Sequence, residues 1–170
     1  MLQAALDIVK SSVFTCLFKK FCWLLLLETI LTFGNNPVLS QSGTNNIAID
    51  RDTINQTLTV EGISGGTIAA LEITNTENTA TGYCDGFASR QPNHILKLNS
   101  FFEFLRLEVE SPADTTILVQ GSGGVWCNDD SDDANPVIEG QWQPGLYKVW
   151  VGSYQANSQN NYRIKISGKK

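Results

Sequence analysis

Four of the five residues from 129 to 133 are aspartates, in the segment Asn128-Asp129-Asp130-Ser131-Asp132-Asp133-Ala134-Asn135. Carboxylate, hydroxyl and amide oxygens crowd this short stretch. Calcium takes roughly six to eight oxygen ligands and tolerates irregular loops, whereas magnesium demands a stricter octahedron. Carboxylates packed this closely also repel one another, and a bound cation relieves that energy. Calcium is therefore the cofactor these residue types suit, with Asp129 and Asp130 as leading ligands, Asp132 and Asp133 beside them, and Asp114 contributing from the start of a neighbouring strand. The competing reading is a solvated polar connection that keeps a sheet edge soluble. An EF-hand is excluded even though Glu139 follows at a suggestive distance. Asp133 stands where the sharp turn needs glycine, Pro136 intrudes, and no helical pattern flanks the loop.

Other reactive side chains are few. His94 is the only histidine. It shares parity with Leu96 and Leu98, which makes it a structural residue at a strand start rather than a general base. No nucleophile-elbow pattern accompanies it, and Gly121-Ser122-Gly123-Gly124 reads as a turn between strands. Cys16 and Cys22 lie near the N-terminus, leaving Cys84 and Cys127 as a pair in the rest of the chain. Structural zinc wants four ligands, so in an exported domain this pair is expected to form a disulfide. Trp126, Trp142, Trp150, Tyr147 and Tyr154 form a dense aromatic group. Most are expected to pack in the core, Trp150 among them between Val149 and Val151. Trp142, flanked by Gln141 and Gln143, is the one expected to reach solvent and a ligand.

The elements that hold these residues read as strands. In Leu105-Arg106-Leu107-Glu108-Val109-Glu110, apolar and charged residues alternate, which puts Leu105, Leu107 and Val109 on one face. Tyr162, Ile164 and Ile166 repeat the pattern near the C-terminus. Thr116 to Gln120 and Leu146 to Tyr154 are more continuously apolar, as expected of central strands covered on both sides. Thr57 to Val60 and Ala69 to Ile73, separated by Gly65-Gly66, read as a hairpin. No window beyond residue 41 carries a helical period. The expected fold is all-β, an antiparallel β-sandwich over residues 54–170. Residues 41–53, rich in Ser, Asn and Gly, read as a polar linker or weakly held arm.

Residues 1–40 set the compartment. Lys19 and Lys20 precede the apolar run Phe21 to Leu27, which continues past Glu28 and Thr29 to Phe33, and Val38 and Ser40 stand before Gln41. This is the arrangement of a secretory signal helix, while a membrane span needs about 20 apolar residues. An uncleaved N-terminal anchor is the alternative, and the only route by which a membrane would be engaged. The formal charge is −5, and no basic stripe is present, which argues against a nucleic-acid partner. Asn55-Gln56-Thr57 fits the N-glycosylation pattern, a short match that occurs often by chance.

The ordered pattern Asp114-Thr115-Thr116, Gly121, Gly123-Gly124, Trp126-Cys127, Asp129-Asp130, Asn135-Pro136, Pro144-Gly145-Leu146-Tyr147 and Val149-Trp150-Val151-Gly152-Ser153-Tyr154 resembles the bacterial pre-peptidase C-terminal domain. The resemblance covers about Tyr83 to Lys170. It implies a jelly-roll-like sandwich of the kind appended to secreted proteases, and related modules in bacterial collagenases bind collagen and calcium. The resulting expectation is an extracytoplasmic, non-catalytic binding or structural module with an extracellular or envelope protein or polysaccharide as partner. An accessory role in a secreted peptidase or hydrolase system and a membrane-tethered envelope protein are the alternatives.

Overall fold

A computed structural model describes residues 44–131 and 134–169. The signal or anchor segment therefore lies outside the described residues, as do Asp132 and Asp133. Among the described residues, thirteen strands form two main sheets and one small ribbon. The first sheet holds β1 (Asn45–Ile49), β3 (Ile68–Ala69), β6 (Phe87–Ala88), β7 (His94–Leu98), β9 (Thr115–Gly121), β10 (Gly124–Asn128) and β12 (Gly145–Ser153). β12 is its centre. One edge of β12 pairs with β7 and then, at Ser153, with β6, while the other pairs with β9. The second sheet runs β11 (Val137–Trp142), β8 (Phe102–Glu110), β13 (Asn161–Ser167), β2 (Leu58–Ile63). β4 (Asn78–Thr79) and β5 (Gly82–Tyr83) make the ribbon.

From β7 onward the chain passes back and forth between the sheets, except at the β9–β10 hairpin within the first, so that both sheets contribute to one shared interior. β8 shows why the alternating pattern was readable. Leu105, Leu107 and Val109 are buried between the sheets, while Arg106 and Glu108 pair on the outer face at 3.2 Å. Tyr162, Ile164 and Ile166 of β13 point into the same core, joined from the first sheet by Leu96, Leu98, Ile117, Val119, Val149 and Val151. The continuously apolar strands β9 and β12 have a second reason for their composition. Leu118 and Trp150 face the other side of the first sheet, where Ala70, Cys84, Ala88 and Cys127 cover them. Over residues 115–119 and 149–153 both faces of that sheet are buried, the condition under which strand alternation disappears, while Leu146 and Lys148 at the start of β12 are exposed.

Three local expectations are corrected. Residues 45–49 are not a linker: they form β1, parallel to β7, with Ile49 fully buried. Its apolar content is only Ile47, Ala48 and Ile49, too short a run to stand out against Asn and Ser. Thr57 to Val60 and Ala69 to Ile73 do not pair as a hairpin either. β2 joins β13 in the second sheet and β3 joins β6 in the first, so the Gly65-Gly66 segment crosses between sheets. Finally, Ala70–Thr74 is a short helix, α1, ended by Asn75 in the left-handed region. Ala, Leu and Glu are good helix formers, and five residues are too few to show a 3.6-residue period.

Candidate functional site

The acidic residues gather at one pole of the first sheet, where three chain segments are tied together. Cys84 and Cys127 form a disulfide with α-carbons 5.0 Å apart, as the cysteine count leads one to expect. This staple places Asp85, the residue after Cys84, beside the loop that opens at Asn128. The third segment arrives through backbone bonds: the Thr115 amide donates to Ala134 O at 3.3 Å, and the Tyr154 amide donates to Asp114 O at 3.3 Å.

Two asparagines, one on each side of the acidic segment, anchor the chain there. Asn128 Oδ1 accepts from Ser131 Oγ at 2.8 Å and from the Val137 amide at 2.9 Å, while its Nδ2 donates to Thr81 O at 2.9 Å. Asn135 Oδ1 accepts from the Ser111 amide at 3.1 Å. One carboxylate oxygen of Asp129, Oδ1, is buried and has no hydrogen-bond partner, and the same is true of Thr116 Oγ1. Thr116 is 1% exposed and lies on the outer face of the first sheet, where a side chain added at Gly86 would come within 3.1 Å of its hydroxyl. The last pair of the β9–β10 ladder is Asn128 with Ile117. One further step of that register sets Asp129 opposite Thr116.

Charge and burial act together here. Desolvation, then the neighbouring carboxylates of Asp130, Asp85 and Asp114, raise the pKa of Asp129 above the usual aspartate value. Desolvation and Asp130 raise that of Asp114. The ionised pole is therefore under electrostatic stress, the condition a cation relieves. Asp85 is the member that inspection of the loop alone misses. Its signal was indirect: a residue next to one half-cystine is carried to the neighbourhood of the other. Glu139 is accounted for elsewhere, since it accepts from Arg106 Nη1 at 2.6 Å on the outer face of the second sheet. Among the described residues, no three His, Cys, Asp or Glu side chains already stand together as a metal-binding group. Any cation here would draw on main-chain carbonyls and water as well, oxygen ligands that calcium accepts readily.

His94 has the structural role its position implies. It is buried, its Nε2 lies 2.7 Å from the Tyr162 hydroxyl, and Nδ1 has no hydrogen-bond partner. Burial lowers its pKa to about 4 and raises that of Tyr162. The ring is thus an imidazole kept neutral and bonded to a phenol between the sheets.

Trp142 departs from expectation. It is 5% exposed, and its indole N–H donates to Leu105 O at 3.0 Å. Trp142 shares parity with Ile138 on β11, so plain alternation points it inward, and the one-residue register shift beside it places its extra residue on β8, between Phe102 and Leu105. Trp142 packs against Trp126 and Tyr147, with ring centroids 5.9 and 5.0 Å away. The outer part of the cluster opens into a hollow of about 140 Å³. A larger depression of about 730 Å³ lies over Glu110, Ser111 and Asn161, where Arg163 already pairs with Glu61 at 3.1 Å.

No family model matches the chain. An uncharacterized protein of Synechococcus elongatus is 32% identical over 66 residues, a stretch covering 39% of this chain and 48% of that protein, so the match spans about half the length of the relative. Among solved structures, the pre-peptidase C-terminal domain of collagenase from Bacillus anthracis is similar at 12% identity and a TM-score of 0.44, covering 74% of this chain and 95% of that one. PliG of Aeromonas hydrophila, a periplasmic inhibitor of g-type lysozyme, is similar at 10% identity and a TM-score of 0.43, covering 73% and 96%. Overlaps this loose transfer no binding site, and what this chain can do rests on its own side chains.

Proposed function

We propose that this chain is an exported, non-catalytic β-sandwich module whose acidic pole binds calcium and whose surface engages an extracellular or envelope protein or polysaccharide. One observation carries the calcium reading: Asp129 holds a buried, unpartnered carboxylate oxygen amid the charges of Asp85, Asp114 and Asp130. A buried anion without hydrogen bonds is destabilising unless something compensates it. Hard oxygen donors of this kind select calcium over softer metals. Asp129, Asp130, Asp114 and Asp85 would hold the ion, with Asp132 and Asp133 as further ligands from the same loop. Bound calcium would fix the loop between β10 and β11. The disulfide favours export, because such bonds persist in oxidising compartments. The burial of His94 against Tyr162 supports a non-catalytic role.

The test is a thermal melt of the exported protein in EDTA, calcium and magnesium. A ligand in hundredfold excess over its dissociation constant adds about 2.7 kcal/mol. Calcium should then raise Tm by about 10 °C, magnesium by much less, and Asp129→Asn combined with Asp130→Asn should remove the rise. A Tm indifferent to millimolar calcium leaves a solvated acidic loop.

A further inference from the structure

At the β10–β11 end of the sandwich, Trp126, Trp142 and Tyr147 line a small hollow with Gln141, Gln143 and Gly123 at its rim. We propose that this hollow is a binding site for a single ring of a neutral saccharide, with Trp126 as the stacking platform. The proposal deepens the reading of the domain as an exported binding module by naming the class of ligand and where it sits. It is independent of calcium.

The three rings have different duties. Trp142 and Tyr147 are buried and have their polar ends satisfied: the Trp142 indole donates to Leu105 O, and the Tyr147 hydroxyl donates to Gln143 O at 2.8 Å. They form a fixed floor. Trp126 is only partly buried and lies roughly parallel to Trp142, at 27° between planes. Its ring is therefore braced from behind while part of it meets solvent. Gly123 closes one side, where an added side chain would come within 2.8 Å of the indole.

Strand alternation supplies the rest. It turns Trp142 under Trp126 while leaving Gln141 and Gln143 on either side exposed. Two primary amides, each with donors and an acceptor, flank an aromatic surface. The remaining carboxylate at the rim, Glu139, is held by Arg106 on the neighbouring strand. An aromatic platform with uncharged donors and acceptors at its edge matches a pyranose, whose C–H face is apolar and whose hydroxyls project from the ring margin. It matches an anion or a cation poorly. Size narrows the choice further: about 140 Å³ is well below the 300–1,000 Å³ of pockets that enclose a drug-sized ligand, so one ring of a longer chain fits and a whole oligomer does not.

The experiment titrates the full chain with cellohexaose, chitohexaose and maltohexaose, following tryptophan emission and calorimetric heat, in calcium and again in EDTA. The expected result is saturable binding of at least one oligosaccharide, equal in both buffers. Trp126→Ala should weaken it tenfold or more. Gln141→Ala with Gln143→Ala, two exposed positions whose loss leaves the fold intact, should weaken it severalfold, while Leu71→Ala on α1 should leave it unchanged. Absence of saturable binding to all three probes would overturn the proposal, as would binding that survives both the tryptophan and the glutamine variants. Binding that vanishes in EDTA or with Asp129→Asn, yet persists in Trp126→Ala, would move the ligand to the acidic pole and also overturn it. Failure of the calcium-dependent melt alongside intact sugar binding would defeat only the calcium reading.

Discussion

The two faces of the larger sheet are buried by different means. Its inner face meets the second sheet across a continuous core from Ile49 to Ile166, and among the described residues no disulfide joins the two layers. Its outer face is covered by a thin layer in which Ala70, Ala88, Leu118 and Trp150 surround the Cys84–Cys127 bond. Area dominates one face and a staple the other. A layer built from two-residue strands and a single short helix cannot bury enough apolar surface to offset the entropy of ordering it. The disulfide supplies what that layer lacks, and the acidic pole is built where the staple holds the chain.

Ile117 and Leu118 are adjacent on β9, both essentially buried, and face opposite sides. This makes them a direct probe of the difference. Ile117→Ala should destabilise by about 4 kcal/mol, because neighbours from two sheets cannot close the cavity. Leu118→Ala should cost roughly 2–3 kcal/mol, since the outer layer can settle into the space. Urea denaturation of the two variants reads the contrast, and equal losses would mean that the outer layer is as rigid as the core.

Removing the staple tests the other half. Cys127→Ser should lower stability by roughly 3–4 kcal/mol through the loop of about forty residues that the bond closes. It should also release Asp85 from the acidic pole. Limited proteolysis should then cut the segment between Gly65 and Gly86 while β8 and β13 stay intact. Uniform protection of the whole chain would show that α1 and the ribbon hold without the bond.

How much of this was legible depends on the face considered. β8 and β13 were readable because one side of the second sheet is wet, so core and solvent alternate along Leu105 to Glu110 and Tyr162 to Ile166. β9 and β12 were readable as doubly covered strands, but what covered them was not. The covering segment has no periodicity of its own, and its helix, Ala70–Thr74, gains order from Leu118 and Trp150 beneath it. β1 was hidden for a related reason: pairing with β7 and the burial of Ile49 order a polar sequence that carries almost no pattern. The acidic loop could be seen as a cluster, whereas Asp85 joins it only through the disulfide. Trp142 was misplaced because its glutamine neighbours suggested a wet strand, whereas the parity it shares with Ile138 turns it inward between them.

Protonation separates the interior from the pole. His94 is neutral when folded, with its pKa lowered to about 4 against about 6.5 in an unfolded chain. Below pH 6.5 the unfolded state takes up a proton that the folded state refuses. Stability is therefore full above pH 6.5 and falls as the pH drops toward 4, by about 3 kcal/mol from this residue. His94→Gln, which keeps a hydrogen-bonding end but does not titrate, should flatten that slope between pH 6.5 and 4. Parallel slopes for the two proteins would show that His94 is protonated in place and that its burial is less complete than the core packing implies.

The acidic pole has the opposite sign and the smallest effect. The pKa values of Asp129 and Asp114 are raised in the folded state, so their contribution is favourable below the unfolded aspartate value and is lost as the pH rises through the folded one. At pH 7 without a divalent ion, the charge on Asp129 opposes folding. Asp129→Asn keeps the shape and removes the charge, and it should stabilise the protein in EDTA by less than about 1 kcal/mol, since solvent screens much of the repulsion. In millimolar calcium the order should invert, because only the wild type gains binding energy from the ion. The crossing of two melting curves, one in EDTA and one in calcium, is a sharper sign of a cation site than either shift alone. If Asp129→Asn is destabilising in both buffers, the buried Oδ1 makes a favourable contact as a charged group, and the electrostatic stress assigned to this pole is absent.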